Sequence, residues 1–154
     1  MSGDKKTIIV SNRLPVTIVE KDNQLDYKKS EGGLATGLGS IYQVGANVWL
    51  GWPGTVIKDE HKREVTEFLA EENLMPLFLS QDEIDSFYKG FSNETLWPLF
   101  HSFPSYANYD YDCWISYQEV NRKYAEAIIN IANAQDTIWI HDYQLMLVPQ
   151  MVRK

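Results

Sequence analysis

The run Asp136-Thr137-Ile138-Trp139-Ile140 halts at His141-Asp142-Tyr143, and apolar residues return as Leu145, Met146 and Val148. A short apolar run without period-two alternation suits a strand buried on both faces of a parallel sheet. The return at helical spacing suits a helix after it. Ligands of open α/β sheets bind outside the carboxyl ends of the strands. The His-Asp-Tyr step therefore marks the sheet edge where the other polar groups of the chain are expected to converge.

Upstream, Thr7-Ile8-Ile9-Val10 reads as a first strand ending in the polar loop Ser11-Asn12-Arg13-Leu14-Pro15, because Pro15 cannot continue a central strand. Residues 16–29 alternate weakly around Asp22-Asn23 and read as an exposed hairpin. Ser30-Glu31-Gly32-Gly33 opens a helix that carries Leu34, Leu38, Ile41 and Tyr42 and closes near Gly45. Val48-Trp49-Leu50 is a second strand entering the loop Gly51-Trp52-Pro53-Gly54; a charged helix from Glu60 to Glu72 and a third strand, Met75 to Leu79, follow. Ser80 with Asp82 and Glu83 predicts an N-cap and an acidic first turn for a helix reaching Tyr88, broken at Gly90-Phe91-Ser92-Asn93 and restarted from Glu94 to Phe100. After an irregular aromatic stretch, a long amphipathic helix is expected from Trp114 to Ala134, with Val120, Tyr124, Ala127, Ile128 and Ile131 on one face. The alternation predicts an α/β fold, a mainly parallel sheet with right-handed crossovers and helices on both faces. The last helix, from Gln144, is still running without a cap at Lys154, so the chain reads as the first part of a longer protein.

At 154 residues, 44% of them hydrophobic, the chain suits one domain with a real core. A net charge of -7 provides no basic field for nucleic acid or acidic membranes, so an anionic ligand must be held by local donors. The single cysteine, Cys113, cannot form an intrachain disulfide and reads as an inert core thiol. With no charged-then-apolar leader, the expected setting is a reducing cytoplasm, and no apolar run reaches the length of a membrane span. Five Trp and nine Tyr, many beside Gly, Pro, Ser or Asn, fit either a sugar or heterocycle site or plain core filling.

Several residues could carry chemistry. Gly32-Gly33 at a helix N-terminus would let a diphosphate or sugar approach backbone N–H groups, or would simply make a tight turn. Neither G-x-G-x-x-G nor the Walker pattern is present, which disfavours a nicotinamide enzyme or a P-loop nucleotidase. Arg13 lies just beyond the first strand, where its guanidinium could fork a phosphate or pair with a carboxylate. Asp142 could accept from sugar hydroxyls, while His141 could be a purely structural histidine. His61, His101 and His141 lack close ligand spacing, so no metal is expected, and no Ser/His/Asp or Cys/His nucleophile pattern is recognisable.

Taken together, Ser11-Asn12-Arg13-Leu14-Pro15-Val16, Gly32-Gly33-Leu34, Trp49 through Gly54, Gly90-Phe91-Ser92-Asn93, Leu96 through His101, Val120-Asn121 and His141-Asp142-Tyr143 resemble the trehalose-6-phosphate synthase family, in this order and at these spacings. The resemblance implies a retaining glycosyltransferase of two Rossmann-like lobes (GT-B) that moves glucose from UDP-glucose to glucose 6-phosphate. Residues 1–154 would form most of the N-terminal, acceptor-side lobe, with the donor-binding lobe absent. It implies that Arg13 and Tyr88 hold the acceptor phosphate, that Trp52 and Trp97 wall the acceptor pocket, and that Asp142 bonds acceptor hydroxyls. Gly32 and Gly33 would approach the donor diphosphate and glucose.

The resemblance further implies no metal and no cofactor beyond the co-substrate UDP-glucose. Cationic side chains of the second lobe would stabilise the departing UDP, so this chain alone is expected to be inactive. The implied partners are UDP-glucose and glucose 6-phosphate, with no nucleic acid and no membrane, and the assembly is compatible with a homo-oligomer. One departure stands inside the motif: Gln144 occupies a position that reads His in many members, so any role there must be neutral. A non-catalytic sugar-phosphate sensor and a sister transferase acting on another phosphorylated acceptor, such as glycerol phosphate, are the alternatives.

Overall fold

The computed structural model describes residues 5–21, 24–30 and 33–153. In chain order, β1 (Thr7–Arg13) is followed by β2 (Val16–Lys21), β3 (Gln24–Lys29), α1 (Gly33–Tyr42), β4 (Val48–Trp52), α2 (Asp59–Ala70) and β5 (Leu74–Pro76). One long helical segment comes next: α3 (Gln81–Glu83), a π-helical stretch over Ile84–Leu96, and α4 (Trp97–Phe100). A 3-10 turn at Pro104–Tyr106 leads into α5 (Tyr111–Ile131), β6 (Thr137–Ile140), a second 3-10 turn at Tyr143–Leu145, and α6 (Val148–Val152).

Four strands pair in parallel in the order β5-β4-β1-β6, and β2 and β3 form a separate antiparallel pair. Because successive side chains of a strand point to opposite faces, β1 serves two cores at once. Ile8 and Val10, with Leu50 of β4, pack against Tyr117, Val120, Tyr124 and Ile128 of α5. Ile9 and Trp49 pack on the other side against Leu38 and Tyr42 of α1 and Val65 and Leu69 of α2. Helices cover both faces of β1 and β4, but β6 is not buried on both faces as expected: it ends the sheet among the described residues, with Thr137 exposed and Trp139 43% exposed, while Ile138 and Ile140 pack inward.

Several expectations about local structure are corrected. β1 runs on through Ser11, Asn12 and Arg13, residues expected in a loop, and β4 runs on through Gly51 and Trp52. The hairpin is not simply exposed: Val16 and Ile18 are buried in the α2-side core, and the Tyr27 ring stacks on Phe68 with centroids 3.7 Å apart. Its Asp22-Asn23 turn lies outside the described residues. The helix does not break at Gly90-Phe91-Ser92-Asn93 but runs through it as the π-helical stretch. Gly90 is there for close approach: a Cβ on it would sit 2.6 Å from the Cys113 Sγ on α5. Ser92 bonds inward, its hydroxyl donating to the Phe87 carbonyl at 2.8 Å. The third strand stops at Pro76 instead of Leu79, and the final helix starts at Val148 instead of Gln144.

The helix termini follow their caps. Ser80 is the N-cap expected, and with Glu83 it also forms a reciprocal capping box, Glu83 N–H donating to Ser80 Oγ at 3.2 Å and Ser80 N–H to Glu83 Oε2 at 2.9 Å. Asp110 caps α5 by accepting from Cys113 N–H at 3.1 Å, which starts that helix three residues ahead of the expected Trp114. Burial, reinforced by Asp110, Glu94 and Asp112, pushes the Cys113 thiol up, leaving it a poor nucleophile at neutral pH.

Candidate functional site

The carboxyl ends of β1 and β6 lie side by side, because Ile9 pairs with Trp139, Val10 pairs with Ile140, and the His141 N–H continues the ladder to the Val10 carbonyl at 2.8 Å. Arg13 ends β1. Its exposed guanidinium donates to Thr17 Oγ1 at 2.8 Å and has no carboxylate partner among the described residues. It rests on Gly54, which has φ 89°; a Cβ there would lie 2.6 Å from Arg13 Nε and 2.7 Å from its Nη2. Of the two readings open for Arg13, a charge already neutralised by a carboxylate is therefore the one the structure does not show.

Asp142 is exposed and has a φ of 70° with a ψ of 162°. That combination is close to glycine-only territory and costs about 1–3 kcal/mol, so the surrounding contacts must impose it. They come from α5. The Tyr117 hydroxyl donates to the Tyr143 carbonyl at 2.7 Å and accepts from Met146 N–H at 3.3 Å. Asn121 donates to the Gln144 carbonyl at 3.0 Å and accepts from Leu147 N–H at 3.1 Å. One turn further on, the Tyr124 hydroxyl donates to the Asn12 carbonyl at 2.7 Å. The three side chains are fully buried at i, i+4 and i+7, and they satisfy backbone groups of both site loops. Burial pushes the Tyr117 phenol up to about 12 and that of Tyr124 up strongly as well, so both stay protonated donors. The turn at Tyr143–Leu145 is not α-helical because its backbone is spoken for by this stripe.

Tyr88 and Asn93 lie in the π-helical stretch, Trp97 opens α4 directly after it, and Trp52 ends β4. The i→i+5 turn brings Asn93 and Trp97 to Tyr143. The Tyr143 hydroxyl donates to Asn93 Oδ1 at 3.2 Å, and its ring centroid lies 5.9 Å from that of Trp97. Burial raises the Tyr143 phenol, with nearby Tyr88 and Asp142 adding to it. Trp97 is 49% exposed and lies against His101, with ring centroids 3.7 Å apart and planes tilted by 36°. Trp52 is only 5% exposed, with its indole N–H donating to the Thr55 carbonyl at 3.0 Å; it backs the Tyr88 ring, 5.9 Å away, and presents little surface of its own.

Arg13 and Asp142 line one cleft of about 200 Å³ together with Ser30 and Leu34, the residues flanking the glycine turn, and with Asn12 and Gln144. Tyr88, Trp52 and Trp97 are not on its lining; they form an aromatic bank beside it that joins through Tyr143. Gly33 opens α1, and a Cβ added there meets nothing within 4 Å, so its backbone is approachable. Gly32 lies outside the described residues. Sequence reasoning missed Gly54, Tyr143 and the polar stripe of Tyr117, Asn121 and Tyr124. Gly54, Tyr143 and Asn121 each sit inside a stretch that carries the family resemblance, which was the visible signal. Among the described residues no group of three His, Cys, Asp or Glu side chains could hold a metal ion, and no helix is long and apolar enough to cross a membrane.

His141 has a buried Nε2 without a hydrogen-bond partner among the described residues. Burial pushes its pKa down, with Asp142 opposing. A histidine with a depressed native pKa takes up its proton more readily in the unfolded chain, so its contribution to stability is present above about pH 6.5 and is lost as pH falls below that. The wild-type minus His141→Phe difference in unfolding free energy should therefore shrink between pH 7 and 5 in denaturant titrations. A difference that is flat across that window would show that the imidazole is not held neutral.

A family model described as glycosyltransferase family 20 matches residues 5–154. The chain is 46% identical over 155 residues to the UDP-forming alpha,alpha-trehalose-phosphate synthase 56 kDa subunit of Saccharomyces cerevisiae, covering 99% of this chain and 31% of that protein. Among solved structures it superposes with a TM-score of 0.70 and 28% identity on the Burkholderia xenovorans UDP-forming alpha,alpha-trehalose-phosphate synthase in complex with glucose-6-phosphate, over 96% of this chain and 30% of that one. The E. coli trehalose-6-phosphate structure bound with UDP-2-fluoro glucose gives a TM-score of 0.73 at 26% identity, over 97% and 30% of the two chains. The chain thus spans under a third of the length of these relatives. The parallel sheet, the Arg13–Asp142 edge and the match across nearly every residue agree: the chain belongs to glycosyltransferase family 20.

Proposed function

We infer that the protein carrying this chain transfers glucose from UDP-glucose to glucose 6-phosphate with retention, forming trehalose 6-phosphate, and that residues 1–154 form most of its N-terminal, acceptor-side lobe. The observation that carries this reading is an arginine without a carboxylate partner among the described residues and an exposed aspartate, set at the carboxyl ends of two neighbouring parallel strands and lining one cleft. A guanidinium matches a phosphate through paired N–H bonds, and a carboxylate matches sugar hydroxyls. Tyr88 would add a phenol to the phosphate, Trp97 a ring face to the sugar, and Trp52 the support behind Tyr88. Gly32 and Gly33 would let the donor diphosphate reach the N-terminus of α1. The work assigned to this chain is binding and positioning of the acceptor. The reading includes no metal and no cofactor beyond the sugar nucleotide, and it sets the protein in the cytoplasm, in keeping with a free Cys113.

UDP release from the full-length protein supplied with UDP-glucose should depend on glucose 6-phosphate and not occur with unphosphorylated glucose. Release with glycerol phosphate in place of the hexose phosphate would identify a sister transferase. A folded protein that binds glucose 6-phosphate but releases no UDP would be a sensor.

A further inference from the structure

Asn12 and Gln144 are 6% and 8% exposed, and the side-chain amide oxygen of each is buried with no hydrogen-bond partner among the described residues. Both residues line the cleft that holds Arg13 and Asp142. A buried carbonyl without a partner is costly, and such groups are rare in folded proteins. Two of them on one cleft, one from the end of β1 and one from the turn after β6, are hard to ascribe to packing.

The backbones beneath them are the opposite of loose. The Asn12 main-chain carbonyl accepts from Tyr124 at 2.7 Å and that of Gln144 from Asn121 at 3.0 Å, both from α5. Each residue is therefore pinned by its main chain from below while its side-chain acceptor is left over. That combination is what a preorganised recognition group needs: position fixed, and hydrogen-bonding capacity kept for something that enters later.

We propose that Asn12 and Gln144 form a neutral hydroxyl-reading pair, whose amide oxygens accept hydrogen bonds from a hexopyranose bound between Arg13 and Asp142. This rests on the transferase reading above and adds to it the residues that recognise the sugar's hydroxyls rather than its phosphate. Amide acceptors suit this task because a second and third carboxylate beside Asp142 would repel the phosphate that Arg13 attracts. The same cleft touches Ser30 and Leu34 at the donor-side turn, so the sugar read could be that of the acceptor or that of the nucleotide donor.

The two sources separate by titration. Glucose 6-phosphate and UDP-glucose, each alongside its singly deoxygenated analogues, are titrated calorimetrically into full-length wild type, Gln144→Met and Asn12→Leu, with melting curves for all three proteins. Gln144→Met should bind one of the two ligands about tenfold more weakly. For that ligand, removing the hydroxyl that Gln144 reads should cost wild type a similar factor and cost the variant nothing further. The ligand affected identifies the sugar. Because Met removes an unpartnered acceptor, the melting temperature of Gln144→Met should equal or exceed that of wild type, whereas a residue with a merely structural role would lower it. Asn12→Leu gives the same comparison at the end of β1, should either variant fold poorly. Wild-type affinity in both variants for both ligands would overturn the proposal while leaving the transferase reading intact. Failure of wild type to bind either ligand would overturn both.

Discussion

Arg13→Ala should weaken glucose 6-phosphate binding by about ten- to a hundredfold, the equivalent of roughly 1.5–3 kcal/mol for a charge-assisted contact, while leaving affinity for unphosphorylated glucose unchanged. The fold should barely notice, because the guanidinium is exposed and its one recorded bond is to Thr17; exposed substitutions of this kind stay within about 0.5 kcal/mol. Gly54→Ala is the sharper form of the experiment, since it removes no binding group. Its new Cβ would have to occupy space 2.6 Å from Arg13 Nε, and its φ of 89° is one that L-residues rarely adopt. The guanidinium must swing off its seat, so phosphate affinity should fall several-fold, with a stability cost of about 1 kcal/mol for the backbone. Calorimetric titration of both variants with phosphorylated and plain glucose checks this. Unchanged glucose 6-phosphate affinity in Arg13→Ala would put the phosphate elsewhere.

The order of elements could be read because hydrophobic period and punctuation agree there. Ile8 to Val10 and Ile138 to Ile140 lie in the two strands expected of them, and Pro15 and the His-Asp-Tyr step end those strands at one edge. Arg13 and Asp142 were legible for the same reason: a polar residue where an apolar strand stops has only the carboxyl edge to occupy, and Arg13 ends β1 while Asp142 follows β6. The π-helical stretch was not legible. Gly90 and Asn93 look like breakers, yet Gly90 is small because Cys113 lies against it, and Asn93 is polar because Tyr143 bonds to it. Those reasons sit 23 and 50 residues away in the chain, beyond the reach of local propensity. Trp52 misled in the opposite sense: placed by its Gly and Pro neighbours in a loop, it ends β4 and is buried. The stripe of Tyr117, Asn121 and Tyr124 was hidden in plain view. At helical spacing beside Val120 and Ile128 it passes for core, and the polar atoms that give it a purpose meet loops more than 20 residues away.

Asp142→Gly should make the protein more stable and a far worse binder. With φ 70° and ψ 162°, Asp142 carries strain of about 1–3 kcal/mol that glycine would not. Against this gain stands the extra freedom of glycine in the unfolded chain, about 0.5–1 kcal/mol, so the net change is a stabilisation of up to about 2 kcal/mol. Two carboxylate bonds to sugar hydroxyls, at roughly 1.5–3 kcal/mol each, would vanish, for a loss of at least about a hundredfold in affinity. Asp142→Ala separates the two effects: it loses the same bonds and keeps the backbone conformation that suits only glycine, so it should bind as poorly as Asp142→Gly and melt lower. If the Gly variant melts below the Ala variant, the turn is not strained. If either variant still binds glucose 6-phosphate like wild type, Asp142 is not a sugar ligand, and the strain is left without a function. A carboxylate held in a costly conformation by Tyr117 and Asn121 makes physical sense only if its direction is worth more to the bound state than its comfort is to the free one.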